Sequence, residues 1–217
     1  MSEKPILSHK EGNQPDGKPW ASVTSDANLS EFFAEMYSGT DRVTAIVTVA
    51  YIEQQVKEIL DLFLVNFEAG DEKEIIDVRG RIFSPSNNGA LSTFAAMVDI
   101  AFFLGLLPRL TYKQARVMAK IRNDFAHNHF IRNFDDLSLK DRKSAKSIKE
   151  LRQLSRVTRS YPEVQTRGVY HAVFTEVFGV LQAARLRCLN LRCQEVMEHE
   201  IVSTNLPRYD GKPKSSP

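Results

Sequence analysis

Cysteine is scarce in this chain. Only Cys188 and Cys193 occur, five residues apart, a spacing that fits neither a redox Cys-x-x-Cys pair nor a zinc site. Free thiols in a reducing compartment are expected. Long apolar runs are missing as well. None reaches the roughly 18–20 residues that a membrane span needs, and the opening MSEKPILSHKEG has no apolar signal-peptide core. The expectation is a cytoplasmic protein with no membrane partner. Alternating strand-like segments are absent, as are a Gly-rich phosphate loop, a nucleophile elbow, a dinucleotide fingerprint and a His-Glu-x-x-His element. Neither a cofactor nor a metal is expected. His127 and His129 do form His-Asn-His, but without a cysteine or a third histidine nearby to complete a site.

An excess of one charge is also missing, since 29 Lys and Arg stand against 27 Asp and Glu for a net +2. That balance is too mild to mark a nucleic-acid binder. Its distribution is more telling. Between Leu139 and Arg167 lie Lys140, Arg142, Lys143, Lys146, Lys149, Arg152, Arg156, Arg159 and Arg167, opposed by Asp141, Glu150 and Glu163. The segment carries +6 and leaves −4 for the rest of the chain. Such a stripe can hold phosphates or an acidic partner, or it can be a solvated helix face.

What is present is helical periodicity. Residues 1–24 are rich in Lys, Glu, Pro, Gly and Ser, and 203–217 read alike, so both are expected to be disordered tails around an all-α domain at 25–202. In TDRVTAIVTVAYIEQQVKEILDLFLVNF, Thr40 suits an N-cap and Asp41 the positive end of the helix dipole. Ile46, Val49, Ile52, Val56, Ile59, Leu60 and Phe63 then recur as an inward stripe. After the turn-rich FSPSNNGA comes ALSTFAAMVDIAFFLGLL, apolar nearly all round except for Asp99, as expected of a helix at the centre of a bundle. Gly105 and Pro108 end it, and Thr111 is placed to cap the next helix, with Gln114, Met118, Ile121 and Phe125 on its inner face. A long pattern from Pro162 to about Glu200 directs Tyr170, Val173, Phe174, Val177, Leu181, Ala184, Cys188 and Leu191 inward. The fold class is all-α: a single compact helical bundle of five or more helices. Glycine between two helices in FFLGLLPRLTYKQARVMAKI invites a helix-turn-helix, but the first helix is too apolar to cross a DNA backbone in solvent, so two core helices are expected. Phe94, Phe102, Phe103, Phe125, Phe130, Phe134, Phe174 and Phe178 read as core or dimer interface.

The densest polar stretch is IRNDFAHNH, Ile121 to His129. On a regular helix Asn123 and His127 share a face, whereas Arg122 lies about 140° round from His127. Arg122 and His127 converge only if the helix ends or kinks between them, or if a second subunit supplies the partner. The ordinary reading is a helix C-terminus, with His127 facing the negative end of the dipole, Asn128 as a left-handed residue after it, and Arg122 paired with Asp99 or Asp41.

Arg122-Asn123-x-x-x-His127 resembles the signature of the HEPN superfamily, all-α proteins that include metal-independent ribonucleases whose arginine and histidine meet across a dimer interface. The resemblance implies His127 as general base or acid, Arg122 at the scissile phosphate and Asn123 orienting one of them. A longer stretch, GALSTFAAMVDIAFFLGLLPRLTYKQARVMAKIRNDFAHN, is similar to the centre of the mannitol operon repressor family: Gly89 and Leu91 before a helix, Leu104-Gly105-Leu106 after it, then Arg122 and His127 closing the next. With DRVTAIVTVAYIEQQVKEIL upstream, this likeness spans roughly residues 40 to 130. It implies a helical, dimeric transcriptional regulator that acts by binding rather than catalysis, on nucleic acid or on a protein partner such as a component of a sugar-transport system. The contact surface expected from charge is Lys140, Arg142, Lys143, Lys146, Lys149, Arg152, Arg156 and Arg159. The alternative is the ribonuclease built on Arg122, Asn123 and His127.

Overall fold

A computed structural model describes residues 26–64, 72–139 and 143–205, the side chains of 26–28, 72, 87, 143 and 192–205 aside. Every regular element among them is helical: α1 (Asp26–Ser38), α2 (Asp41–Leu64), α3 (Glu72–Phe83), α4 (Phe94–Phe103), α5 (Arg109–His127), α6 (Phe134–Ser138), α7 (Lys143–Leu154), α8 (Val157–Ser160) and α9 (Thr166–Asn205). The helices pack as one all-α bundle. The expected tails fall outside the described residues, except that α9 continues through Asn205. Among the described residues no helix is long and apolar enough to cross a membrane.

The centre is formed by α2 and α5, which pack on each other and on α4 and α9, with α1 against α2 and α7 against α5. Thr40 caps α2, its hydroxyl accepting from the Val43 N–H at 3.3 Å. Ala45, Val49, Ile52, Val56, Ile59 and Leu60 are buried along its inner face. Ile46 and Phe63 are not, at 39% and 43% exposure. The face turned inward is centred on Ala45 and Val49, and its remaining width is taken by Thr44, Thr48 and Gln55. Those buried polar groups are paired: Thr44 and Thr48 donate to the carbonyls of Met36 and Thr44, and Gln55 accepts from Gln182.

Helix α4 is peripheral rather than central. Phe94, Met97, Val98 and Ala101 are buried at helical spacing, but Phe103 is 83% exposed. Its ten residues lie across α2 and α5 from outside, so only one stripe is covered. Phe102 is exposed at the edge and stacks on Tyr112 with centroids 4.6 Å apart. Gly105 turns the chain at φ +72°. Pro108 then occupies the N-cap position of α5, while the expected cap Thr111 is buried inside the first turn. Of the other phenylalanines expected in the core or a dimer interface, Phe125, Phe134 and Phe174 are buried and Phe178 partly so, whereas Phe130 is 83% exposed.

The inward stripe of α9 holds from Tyr170 to Cys188, which forms no disulfide; Leu191 is 53% exposed. Tyr170 packs at a tilt against Phe134, 4.8 Å between centroids, and Phe134 meets Phe125 edge-on at 5.3 Å, which locks α5, α6 and α9 together. The Tyr170 hydroxyl lies 2.9 Å from that of Thr48, tying α9 to α2.

Candidate functional site

The end of α5 presents its polar residues in two directions. Ile121 and Phe125 point into the core, Arg122 lies on the flank of that face, and Asn123 and His127 are exposed on the opposite side. Arg122 pairs with neither expected acid. Asp99 is engaged by Arg116 and the Tyr112 hydroxyl, and Asp41 by Arg167. The Arg122 Nε is buried with no hydrogen-bond partner among the described residues. Its charge is felt by Tyr170, whose phenol is raised far above its ordinary range by burial, an effect that Thr48 and Arg122 only partly oppose. Within one chain, no hydrogen bond joins Arg122, Asn123 and His127 among the described residues.

The chain leaves α5 in an extended conformation at Asn128, φ −123° and ψ 102°, rather than through a left-handed residue. The Asn128 side chain instead accepts from the Phe130 N–H at 3.0 Å and turns the loop locally. His129 and Phe130 are carried outward. A clamp from α2 holds the loop. Arg42 Nη2 donates to the carbonyls of Asn128 (3.1 Å) and Ile131 (2.8 Å), and Asp41 accepts from the Phe134 N–H at 2.8 Å.

Asp41 also joins a second set of contacts. Its other oxygen pairs with Arg167 Nη1 at 3.1 Å. Arg167 Nη2 donates to the Tyr37 and Gly39 carbonyls at 3.0 and 2.8 Å, and Arg167 Nε donates to His171 Nε2 at 3.3 Å. The His171 ring stacks on Tyr37 at 5.1 Å, and its Nδ1 is buried without a partner among the described residues. Burial, with Arg167 beside it, lowers the imidazole below its usual range; Asp41 acts in the opposite sense. This knot at the α1–α2 corner was not anticipated. Its only trace in the sequence is an Asp-Arg pair directly after an N-cap.

The basic segment is sorted by the fold into two sets. Lys140 and Arg142 lie outside the described residues, and Lys143 opens α7. Ser144, Ser147, Ile148 and Leu151 face inward, leaving Lys146, Lys149 and Gln153 exposed on the outer face. Arg156 and Arg159 are exposed just beyond. Arg152 is half-buried and donates to Thr166 Oγ1 at 3.2 Å, and Arg167 belongs to the knot. Glu150 is engaged by Lys120 of α5 at 3.5 Å, a surface pair of small energy. The side chains of Lys146, Lys149, Arg156 and Arg159 have no acidic partner among the described residues.

Two further features carry less chemistry. A shallow cleft of about 280 Å³ between α2 and the α3–α4 connection is lined by Glu53, Gln54, Lys57, Phe83 and Met97 among others, with Lys57 Nζ 5.6 Å from the Phe83 ring centre. Among the described residues no group of three or more His, Cys, Asp or Glu could hold a metal ion. No protein-family model, curated protein or solved structure matches the chain.

Proposed function

We propose that this chain is a cytoplasmic regulator of the kind the mannitol operon repressor resemblance implies, working as a homodimer by contacting another macromolecule rather than by catalysis. The observation that carries this reading is the outer face of α7 and the α8 turn, where Lys146, Lys149, Arg156 and Arg159 stand exposed, their side chains without acidic partners among the described residues. Catalysis at the end of α5 is less favoured. A general base must lie within hydrogen-bond reach of the proton it takes, while Arg122 faces the bundle and His127 faces solvent.

The second reading is a HEPN-like ribonuclease assembled across two chains. What favours it is Arg122 itself, whose buried Nε lacks a partner among the described residues. A donor left so is costly, by about 1–3 kcal/mol, and a second chain or a phosphate would satisfy it once the guanidinium turns outward.

One experiment separates the two. Wild type, Lys146→Glu/Lys149→Glu and His127→Ala are each expressed in cells lacking the chain, and transcript levels are measured. A regulator loses its transcript signature in the lysine variant and keeps it in His127→Ala. The reverse result, together with His127-dependent RNA cleavage in EDTA, would overturn the binding reading.

A further inference from the structure

Resting on the assignment of the α7–α8 face as the contact surface, we propose that its partner is a single-stranded nucleic acid whose phosphates follow Lys146, Lys149, Arg156 and Arg159 and one of whose bases stacks on Tyr161.

The row of cations is built for a backbone. Lys146, Lys149 and Gln153 recur at steps of three and four along the outer face of α7. Arg156 follows where the helix gives way to α8. At 1.5 Å per residue the part of the row on α7, from Lys146 to Gln153, spans about 10 Å. That is roughly three nucleotides at the 3.4 Å rise of a stacked strand, before the chain turns at Arg156.

Tyr161 is what selects a single strand. It ends α8, its N–H donating to the Val157 carbonyl at 2.9 Å, and its side chain is 59% exposed. The excursion that carries it is stapled. The Thr158 hydroxyl donates to the carbonyls of Arg152 and Ser155, folding α8 onto the end of α7. The Arg156 N–H donates to Glu176 at 3.1 Å, and Arg152 Nη2 reaches Thr166 at 3.2 Å. An exposed ring is thus held on an anchored turn, two residues from Arg159 and five from Arg156. Cations tracking phosphates beside an aromatic platform form the usual apparatus for single strands, and a stacked base is out of reach in a duplex. A stack on Tyr161 accepts any base, so sequence preference should be weak.

The test is fluorescence anisotropy of the full chain with a labelled oligothymidylate, an oligouridylate, a duplex of equal length, and polyglutamate. Both single strands should bind more tightly than the duplex; the better of the two identifies DNA or RNA. Tyr161→Ala should weaken single-strand binding about 5- to 150-fold, as expected for one lost stack, without changing the salt dependence, and Tyr161→Phe should restore it. Lys146→Ala/Lys149→Ala should reduce the slope of log affinity against log salt by about 1.4. Equal affinity for duplex and single strand, or indifference to Tyr161→Ala, overturns the proposal. Binding of polyglutamate alone also overturns it, in favour of an acidic protein partner, yet leaves the contact surface standing. Failure of the lysine variant to change the transcript signature would instead remove that surface.

Discussion

Replacing Arg167 with alanine tests whether the knot at the α1–α2 corner holds the fold. Four contacts disappear at once: two carbonyls at 3.0 and 2.8 Å, the Asp41 carboxylate at 3.1 Å and His171 Nε2 at 3.3 Å. The side chain is 36% exposed, so the ion pair is screened and contributes only about 0.2–1 kcal/mol. The bond to the part-buried Gly39 carbonyl stands near the lower end of charged hydrogen bonds, about 1.5 kcal/mol, and the more exposed one to Tyr37 contributes less. The expected loss is about 2–3 kcal/mol, which lowers the melting midpoint of a chain this size by roughly 5–10 °C. Arg167→Lys sharpens the test. An ammonium keeps the charge near Asp41 but lacks the planar fork that reaches both carbonyls, so it should recover less than half of the loss. The assay is urea unfolding followed by circular dichroism, with Asp41→Ala and the double variant closing a cycle whose coupling should not exceed about 1 kcal/mol. A loss below about 0.5 kcal/mol for Arg167→Ala, within the range of ordinary surface substitutions, would refute the reasoning. Full recovery with lysine would refute the fork.

The imidazole of His171 is held below its ordinary value of 6.5 by burial and then by Arg167, so between the two values the unfolded chain binds the proton that the folded chain refuses. Stability is therefore full above pH 6.5 and declines as the pH falls below it, levelling off once the folded imidazole titrates. His171→Gln should remove that part of the pH dependence of the urea midpoint, and parallel profiles for variant and wild type would contradict it. Two glycines should separate sterics from backbone conformation in thermal melts. A Cβ at Gly89 would collide with the Ile82 and Arg81 carbonyl oxygens, so Gly89→Ala should cost about 2–3 kcal/mol. Gly105→Ala meets nothing but holds φ +72°, so about 1 kcal/mol is expected; equal losses would show that the tight approach at Gly89 is relieved.

The long helices were legible because a buried stripe repeated over several turns is a strong local signal. Val49, Ile52, Val56 and Ile59 of α2 and Tyr170 through Cys188 of α9 lie where their spacing put them. The failures are local patterns overridden by neighbours. Hydropathy marked α4 as central because nearly every residue is apolar, but which faces are covered depends on the elements beside it, and α4 has neighbours on one side. No helix was read at α1, a segment of 13 residues, since what holds it is non-local: Phe32 stacks on Tyr51 at 4.4 Å, and Phe33 meets Phe178 at 5.6 Å. The clamp and the knot were invisible for the same reason, since the bonds that Arg42 and Arg167 make to backbone carbonyls join residues 86 to 130 apart.

At the candidate site, the sequence conveyed angles but not environments. The separation of Arg122 from His127 follows from 3.6 residues per turn and is kept by the fold, with one at the flank of the core and the other in solvent. That Asp99 and Asp41 would be taken by Arg116 and Arg167, leaving Arg122 without either, depends on distant partners. The basic segment makes the same point with the opposite outcome. Read along the chain it is one run of nine cations, but Arg152 and Arg167 are occupied within the bundle, by Thr166 and by the α1–α2 corner. A segment's charge count therefore overstates the charge it can offer a partner. The useful measure is the set of cations whose donors find no acceptor in the fold. If that measure is right, alanine at Lys146, Lys149, Arg156 or Arg159 should each lower the salt slope by about 0.7. Alanine at Arg152 should leave the slope alone while lowering stability, and a slope that fell equally at Arg152 would mean that the fold does not sort these charges as argued.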